Sequence, residues 1–304
     1  MKEFHQVEWD ERTADDCRQL VRLAVREDLD RLFDVTTLAL VSEHSRGSAR
    51  VVVRQPGVLA GLPAAQLAVA EMNLDTQLEL LSKDGDRVQA GSAVAKWRGS
   101  TRDLLTTERI VLNLLGRLSG IATLTRSFVD CIAGTRARIY DTRKTTPGWR
   151  RLEKYAVRCG GGCNHRTGLF DAVLIKDNHL AQGTSQGITP REAVVRARDF
   201  LAGCKPDRSG DIVEIEVDTL DQFRDVIPAF PDIILLDNMS PEEMQEAVRL
   251  RDEAGAATQL EASGGVRLES VRRIAECGVD RISVGAVTHS ATTLDIGLDW
   301  DATG

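Results

Sequence analysis

Apolar and polar positions along this chain follow two different periods, and the change between them divides it. From Thr13 to Asp28, apolar residues recur at helical spacing between charged ones, which predicts a helix that Thr13 or Asp15 can cap. SARVVVRQPGVLAG reads as strand, PAAQLAVAEM as a short helix, and LELLSKDGDRVQAGSAVAKWRGS as strands joined by Gly turns. A long helical stretch runs from Arg102 to Ala133, with Leu104, Val111, Leu114, Leu115, Leu118 and Ile121 on its apolar face. Gly116 and Gly120 either interrupt this helix or admit a close neighbour.

After Arg138 the pattern changes. The short apolar runs ARIY, AVLI, IVEIEV, IILL, TQLEA and RISV alternate with amphipathic segments. Thr189-Pro190 with Glu192, and Ser240-Pro241 with Glu243, each set a capping residue, Pro at the first helical position and Glu at the third. Repeated strand-helix units imply a parallel sheet. Each strand ends in polar residues: Asp141 to Lys144, Lys176 to His179, Glu216 to Asp218, Asp237-Asn238, Ser263-Gly264-Gly265 and Gly285 to His289. In a doubly wound sheet functional residues gather at one switch point. Here nearly every strand contributes, which favours a β/α barrel whose strand ends converge on one mouth. Six strands are plain, and a seventh or eighth is less marked.

The converging residues form three chemical groups. The cations are Arg143, Lys144, His165, Arg166 and Lys176, the acids are Glu216 and Asp237, and the small-residue loops are Ser263-Gly264-Gly265 and Gly285-Ala286. Cations at several strand ends suit a ligand with more than one carboxylate or phosphate. The other reading of Arg143 and Lys144 is a solvated loop, and solvation is the favoured reading of Arg150 and Arg151 on the next helix. The Ser-Gly-Gly loop precedes a helix, where backbone N–H groups can meet a phosphate. The two acids suit ribose hydroxyls or a hydrated Mg²⁺, or Glu216 pairs with Lys176. Neighbouring cations are expected to lower the pKa of His165 and leave it a neutral donor. His179 reads as a residue that orders its own loop. Cys159, Cys163 and His165 have no second cysteine pair at ligand spacing, which disfavours zinc. A Schiff-base lysine at Lys176 or Lys144 is a rival chemistry.

Composition narrows the classes further. The 304 residues suit one large domain or two unequal ones. A formal charge of -7 argues against general nucleic-acid binding, so a local cationic patch points to a small anionic ligand. No apolar run approaches the ~20 residues of a membrane helix, and the polar, acidic MKEFHQVEWDE does not read as a signal peptide. Six scattered cysteines fit reduced thiols and a cytoplasmic setting.

DTRKTTPGWRRLEKYAVRCGGGCNHR followed by LIKDNH resembles the signature of the quinolinate phosphoribosyltransferase family. The resemblance extends through GVLAGLP, LLTTERIVLNLLGRLSGIAT, EIEVDTL, LLDNMSP, EASGGV and VGAVTHSATTLDIGLD, in order and over nearly the whole chain. It implies transfer of phosphoribosyl from phosphoribosyl pyrophosphate to quinolinate with loss of CO2, giving nicotinate mononucleotide for NAD synthesis. A related transferase acting on another pyridine or heterocyclic acid is the alternative. The implied fold is an incomplete, roughly seven-stranded β/α barrel at 116–289, with a mixed α/β N-terminal domain at 1–115 that the tail 290–304 joins.

The resemblance also implies roles. Arg143, Lys144, His165, Arg166 and Lys176 match positions around quinolinate and pyrophosphate, and Arg109 matches an arginine inserted from the neighbouring subunit, which makes a homodimer the smallest active form. Glu216 and Asp237 match the acids at the ribose and Mg²⁺, and with Lys144 are the implied catalytic residues. Ser263, Gly264, Gly265, Gly285 and His289 fall on the phosphate side. Asp30 with Leu32-Phe33, and Trp149, depart from the family pattern and bear on local loop shape.

Overall fold

A computed structural model describes residues 2–184 and 187–301. The chain forms two units. One takes Val7–Arg126, Thr145–Gly161 and the residues from Val287 onward; the other takes the residues up to Gln6, Ser127–Lys144 and Gly162–Ala286.

The first unit begins with helix α1 (Glu11–Leu29). Asp10 caps it, accepting the Thr13 N–H at 2.8 Å. The expected caps, Thr13 and Asp15, therefore lie one turn inside, and the Thr13 hydroxyl donates instead to the Glu8 carbonyl at 2.9 Å. There follow α2 (Val35–Leu40), β1 (Arg46–Val53), β2 (Gly57–Val58), α3 (Leu62–Glu71), β3 (Thr76–Leu80), β4 (Arg87–Val88), β5 (Ala93–Ser100), α4 (Thr101–Cys131) and α5 (Arg150–Cys159). The last strand, β12 (Ile296–Trp300), returns to β1, so the main sheet has the antiparallel order β12-β1-β5-β3. Its alternation buries Ala49, Val51 and Val53 of β1 and Trp97 of β5.

Helix α4 is continuous, so its glycines serve close packing. A Cβ on Gly120 would stand 2.1 Å from the Thr292 carbonyl oxygen, and one on Gly116 would stand 2.7 Å from the Thr293 methyl. The absent side chains let segment 292–294 lie against the helix, where Leu294 N–H donates to the Gly116 carbonyl at 3.0 Å.

The second unit holds the six expected strands: β6 (Arg138–Tyr140), β7 (Val173–Ile175), β8 (Val213–Val217), β9 (Ile233–Asp237), β10 (Gln259–Ser263) and β11 (Arg281–Ser283). They form one sheet in the order β6-β11-β10-β9-β8-β7, and every ladder is parallel. Beyond β6 a single parallel bridge joins Cys163, through Cys163 N–H to the Ile139 carbonyl at 2.8 Å and Asp141 N–H to the Cys163 carbonyl at 3.0 Å. Among the described residues the sheet therefore has six strands, and where a less marked seventh was expected it has this one-residue bridge. Helices α6 (Asp177–Thr184), α7 (Pro190–Gly203), α8 (Leu220–Val226), α9 (Pro241–Glu253) and α10 (Leu268–Glu276) link the strands, and α11 (Ala286–His289), which follows the last, passes after Ala286 into the first unit. Both expected capping boxes form, at Thr189 with Glu192 and at Ser240 with Glu243. The architecture is an incomplete β/α barrel with a mixed α/β N-terminal domain.

Two consequences of this topology place the site. Parallel strands bring all their C-terminal ends to one edge. Strand alternation also puts Glu214 and Glu216 on one face of β8, Gln259, Glu261 and Ser263 on one face of β10, and Arg281 and Ser283 on one face of β11. Among the described residues, no helix is long and apolar enough to cross a membrane.

The contact at Gly120 sets a sign that propensity alone would reverse. Ala favours a helix over Gly by ~1 kcal/mol, yet Gly120→Ala should destabilise the protein by about 1–3 kcal/mol, because the methyl meets backbone. Denaturant unfolding checks this, and a stabilised Gly120→Ala would contradict the packing.

Candidate active site

At the C-terminal edge, Lys176 leaves β7 and Glu216 lies near the end of β8. Their side chains form an ion pair, so the pairing expected as one alternative for Glu216 is formed. Glu216 is buried and Lys176 partly exposed. Lys176 N–H donates to His179 Nδ1 at 2.9 Å, so His179 orders its own loop as expected.

Asp237 ends β9 opposite Ser263 of β10. Its Oδ2 accepts from Asn238 Nδ2 at 2.6 Å, and Asn238 takes a left-handed φ of 53°. Asn238 N–H donates to the Ser263 carbonyl at 3.0 Å. Gly264, at φ 95°, passes so close that a Cβ would lie 2.1 Å from Asn238 Oδ1. Glycine is required there both for the dihedral and for the space.

Arg143 and Arg166 are brought together beside β6. Burial and then the charge of Arg143 lower the pKa of Arg166, with Glu214 and Asp171 acting the other way. Arg166 Nη1 donates to the Ala172 carbonyl at 3.3 Å. A buried guanidinium beside a half-buried one forms a place for an anion. Lys144 is exposed on the following residue, its N–H donating to the Thr142 hydroxyl at 3.1 Å.

His165 corrects an expectation. It faces carboxylates rather than cations: Nε2 lies 3.1 Å from Glu214 and 3.4 Å from Glu261. Burial lowers the imidazole pKa, but Glu214 and Glu261 outweigh it and push the value up to about 10. That raised proton affinity belongs to His165, Glu214 and Glu261 together rather than to the ring alone: the Arg166 N–H donates to Nδ1 at 2.8 Å, so the ring's one proton sits at Nε2, between the two carboxylates. The direct contact at Nδ1 decides where the cluster's further proton resides. It resides on Glu214, whose pKa burial and Glu261 raise against the pull of His165. At Glu261 burial also raises the pKa, but His165, Ser283 and Arg281 prevail and hold it below its ordinary value. Asp141, fully buried, anchors the segment: it accepts from His165 N–H at 2.9 Å and from Asn164 Nδ2 at 2.7 Å.

Glu214 and Glu261 were not among the expected site residues. Their signal was the alternation itself, since each sits two residues before a residue that was expected, Glu216 and Ser263. Among the described residues, His165, Glu214 and Glu261 also form a group whose ligand atoms lie within 4.8 Å of one another and could hold a metal ion. Gly265 follows in the same loop at φ 57°, and Gly285 precedes α11. Arg109, on α4, and His289, at the end of α11, belong to the first unit and are both exposed. His289 Nδ1 lies 2.6 Å from the Ser290 hydroxyl.

The proton content of the buried cluster sets a pH dependence. Glu214 carries the cluster's further proton and has a raised value in the folded state, so its contribution is complete below its ordinary value of 4.5 and is lost as pH rises through the folded value. Glu214→Gln keeps a neutral partner at that position. Its stability near pH 4.5 should lie within ~1 kcal/mol of the parent, and the parent should lose more stability than the variant as pH rises above that value. Urea titrations across that rise check it, and equal slopes would contradict it.

Residues 34–119 match the quinolinate phosphoribosyl transferase N-terminal domain and residues 121–299 the C-terminal domain of that family. The chain is 44% identical over 287 residues to the carboxylating nicotinate-nucleotide pyrophosphorylase of Mycobacterium leprae, covering 94% of this chain and 97% of that protein. It is 41% identical over 270 residues to a probable carboxylating nicotinate-nucleotide pyrophosphorylase of Bacillus subtilis, covering 88% and 87%. The solved nicotinate-nucleotide pyrophosphorylase of Francisella tularensis superposes with a TM-score of 0.86 at 35% identity, covering 98% of this chain and 100% of that one. With the parallel sheet and its converging strand ends, these matches show that the chain belongs to the quinolinate phosphoribosyltransferase family.

Proposed function

We propose that the Arg143–Arg166 pair receives the carboxylates of quinolinate, and that the acids and loops beside it receive phosphoribosyl pyrophosphate. The reaction is the decarboxylating transfer: the pyridine nitrogen attacks the anomeric carbon, pyrophosphate leaves, and the adjacent carboxylate departs as CO2. The observation that carries the site assignment is buried Arg166, anchored through Nη1 to the Ala172 carbonyl, beside half-buried Arg143, because two neighbouring guanidiniums withdrawn from water are relieved by an anion.

The remaining residues follow from their positions. Lys144 and Lys176 add cations at the same edge for pyrophosphate, with Lys144 as a catalytic group. Substrate binding would draw Lys176 from Glu216, freeing that carboxylate for the ribose. Glu216 and Asp237 stabilise positive charge developing at the anomeric carbon. Ser263, Gly264, Gly265, Gly285 and His289 take the phosphate. The exposure of Arg109 within one chain supports its insertion into a neighbouring subunit of a homodimer. The scattered cysteines support a cytoplasmic enzyme.

Mg²⁺ prefers oxygen ligands, one or two carboxylates with waters and substrate phosphates. The donor chemistry of Glu216 and Asp237 fits that preference, whereas the histidine at the His165 cluster suits a softer ion. When bound, Mg²⁺ would neutralise charge on departing pyrophosphate. The arginines then position quinolinate, and positioning is the larger part of what the chain contributes.

The test follows labelled CO2 and nicotinate mononucleotide together, from quinolinate labelled at the carboxyl beside nitrogen, with nicotinate as a parallel substrate. Equal release of both products from quinolinate alone is expected. Arg143→Ala should lower kcat/KM by about 10- to 100-fold, the loss of one charge-assisted contact of ~1.5–3 kcal/mol, while unfolding stays as in the parent. Turnover of nicotinate alone, or normal activity in a folded Arg143→Ala, would overturn the assignment.

A further inference from the structure

The segment Lys2–Gln6 lies across the N-terminal edge of the parallel sheet, opposite the strand ends that carry the site. Lys2 Nζ donates to the Asp211 carbonyl at 2.9 Å and to Asp232 Oδ2 at 3.2 Å, the residues just before β8 and β9. Glu3 pairs with Arg138 and Arg281, the first residues of β6 and β11, and accepts from the Tyr140 hydroxyl at 2.9 Å. Phe4 is 4% exposed and packs with Ala172, Ile212 and Ile233. Its ring stacks on His165 with centroids 4.3 Å apart at 31°, and Arg281 lies over its ring at 5.3 Å. Gln6 closes a two-way bond with the next residue back: Asn164 N–H donates to Gln6 Oε1 at 2.8 Å, and Gln6 Nε2 donates to the Asn164 carbonyl at 3.1 Å.

These contacts meet at residues 164–166. Phe4 fixes the plane of the imidazole, whose Nδ1 accepts the Arg166 N–H, and Gln6 fixes the backbone one residue earlier. We infer that Phe4 and Gln6 are positioning residues, which hold the His165-Arg166 segment so that the Arg166 guanidinium meets the substrate carboxylate. The inference rests on the proposed role of Arg166. Neither residue touches substrate; each acts through the turn it braces. A misplacement of order 1 Å at a binding guanidinium costs up to about 100-fold, so a small shift of this turn suffices for a measurable effect.

The experiment compares the parent with Phe4→Ala, Phe4→Leu and Gln6→Ala, measuring kcat and KM for each substrate, with folding followed by circular dichroism and urea unfolding. In folded Phe4→Ala, the KM for quinolinate should rise about 10- to 100-fold, while that for phosphoribosyl pyrophosphate changes far less. Phe4→Leu restores apolar volume without an aromatic face. It should recover the stability lost in Phe4→Ala but keep a raised KM for quinolinate. A purely structural role predicts instead that KM follows stability, and that Phe4→Leu restores both; that result would overturn the inference. Should Phe4→Ala fail to fold, Gln6→Ala decides: a selective rise in the quinolinate KM supports positioning, and an unchanged KM overturns it. Failure of the parent to turn over quinolinate would fail the functional reading itself, and so is distinguishable from a parent that works and variants that bind quinolinate normally.

Discussion

The inward face of the parallel sheet carries charge where a barrel ordinarily packs Val, Ile and Leu, and that charge has to be satisfied inside the protein. Glu214, Glu261, Gln259 and Arg281 all project from strand positions at most 4% exposed. Removing one partner from a buried pair costs about 3–5 kcal/mol, so each group is tied to others. Ser283 donates to Glu261, Arg281 Nε donates to Gln259 at 2.7 Å, and Arg281 lies over the Tyr140 ring at 4.5 Å. His165 sits between the two glutamates, which makes its position a condition of the whole interior.

That constraint separates two jobs along the strand direction. Residues at the C-terminal edge, Lys176, Glu216, Asp237 and Ser263, remain close to the mouth. Residues deeper along the same strands neutralise one another and set the geometry above them. The His165-Arg166 turn joins the levels, because its imidazole belongs to the buried network and its next side chain to the cationic pair. An acidic chain thereby concentrates positive charge at one place, where anionic substrates would otherwise be repelled.

Much of this was legible in the sequence, for definite reasons. The six strands showed as short apolar runs between polar residues, and the two capping boxes as Thr-Pro and Ser-Pro with a following Glu. The bridge at Cys163 did not show, because RCGGGCNHR has no apolar run and only that one residue pairs with the sheet. The cap of α1 fell to Asp10 because Asp, Ser and Thr are comparable caps, and several stand in that stretch. Glu216 was legible as a strand-end acid. Glu214 was in the same EIEV run, but its role depends on Glu261 and His165, which only strand order brings beside it. The same long-range pairing reversed the expected pKa direction of His165. Nothing local in KEFHQ marks Phe4 as buried; that depends on the edge of a sheet formed far along the chain.

The central claim is that a paired polar interior holds two guanidiniums in place for one dicarboxylate. A crystal structure of the protein with quinolinate bound tests it most directly. The account predicts the ligand's carboxylates within hydrogen-bonding distance of Arg143 and Arg166, with the Phe4–His165 stack and the Glu214 and Glu261 contacts kept as they are here. Quinolinate bound away from both guanidiniums, or bound there only after His165 has left its two glutamates, would contradict it.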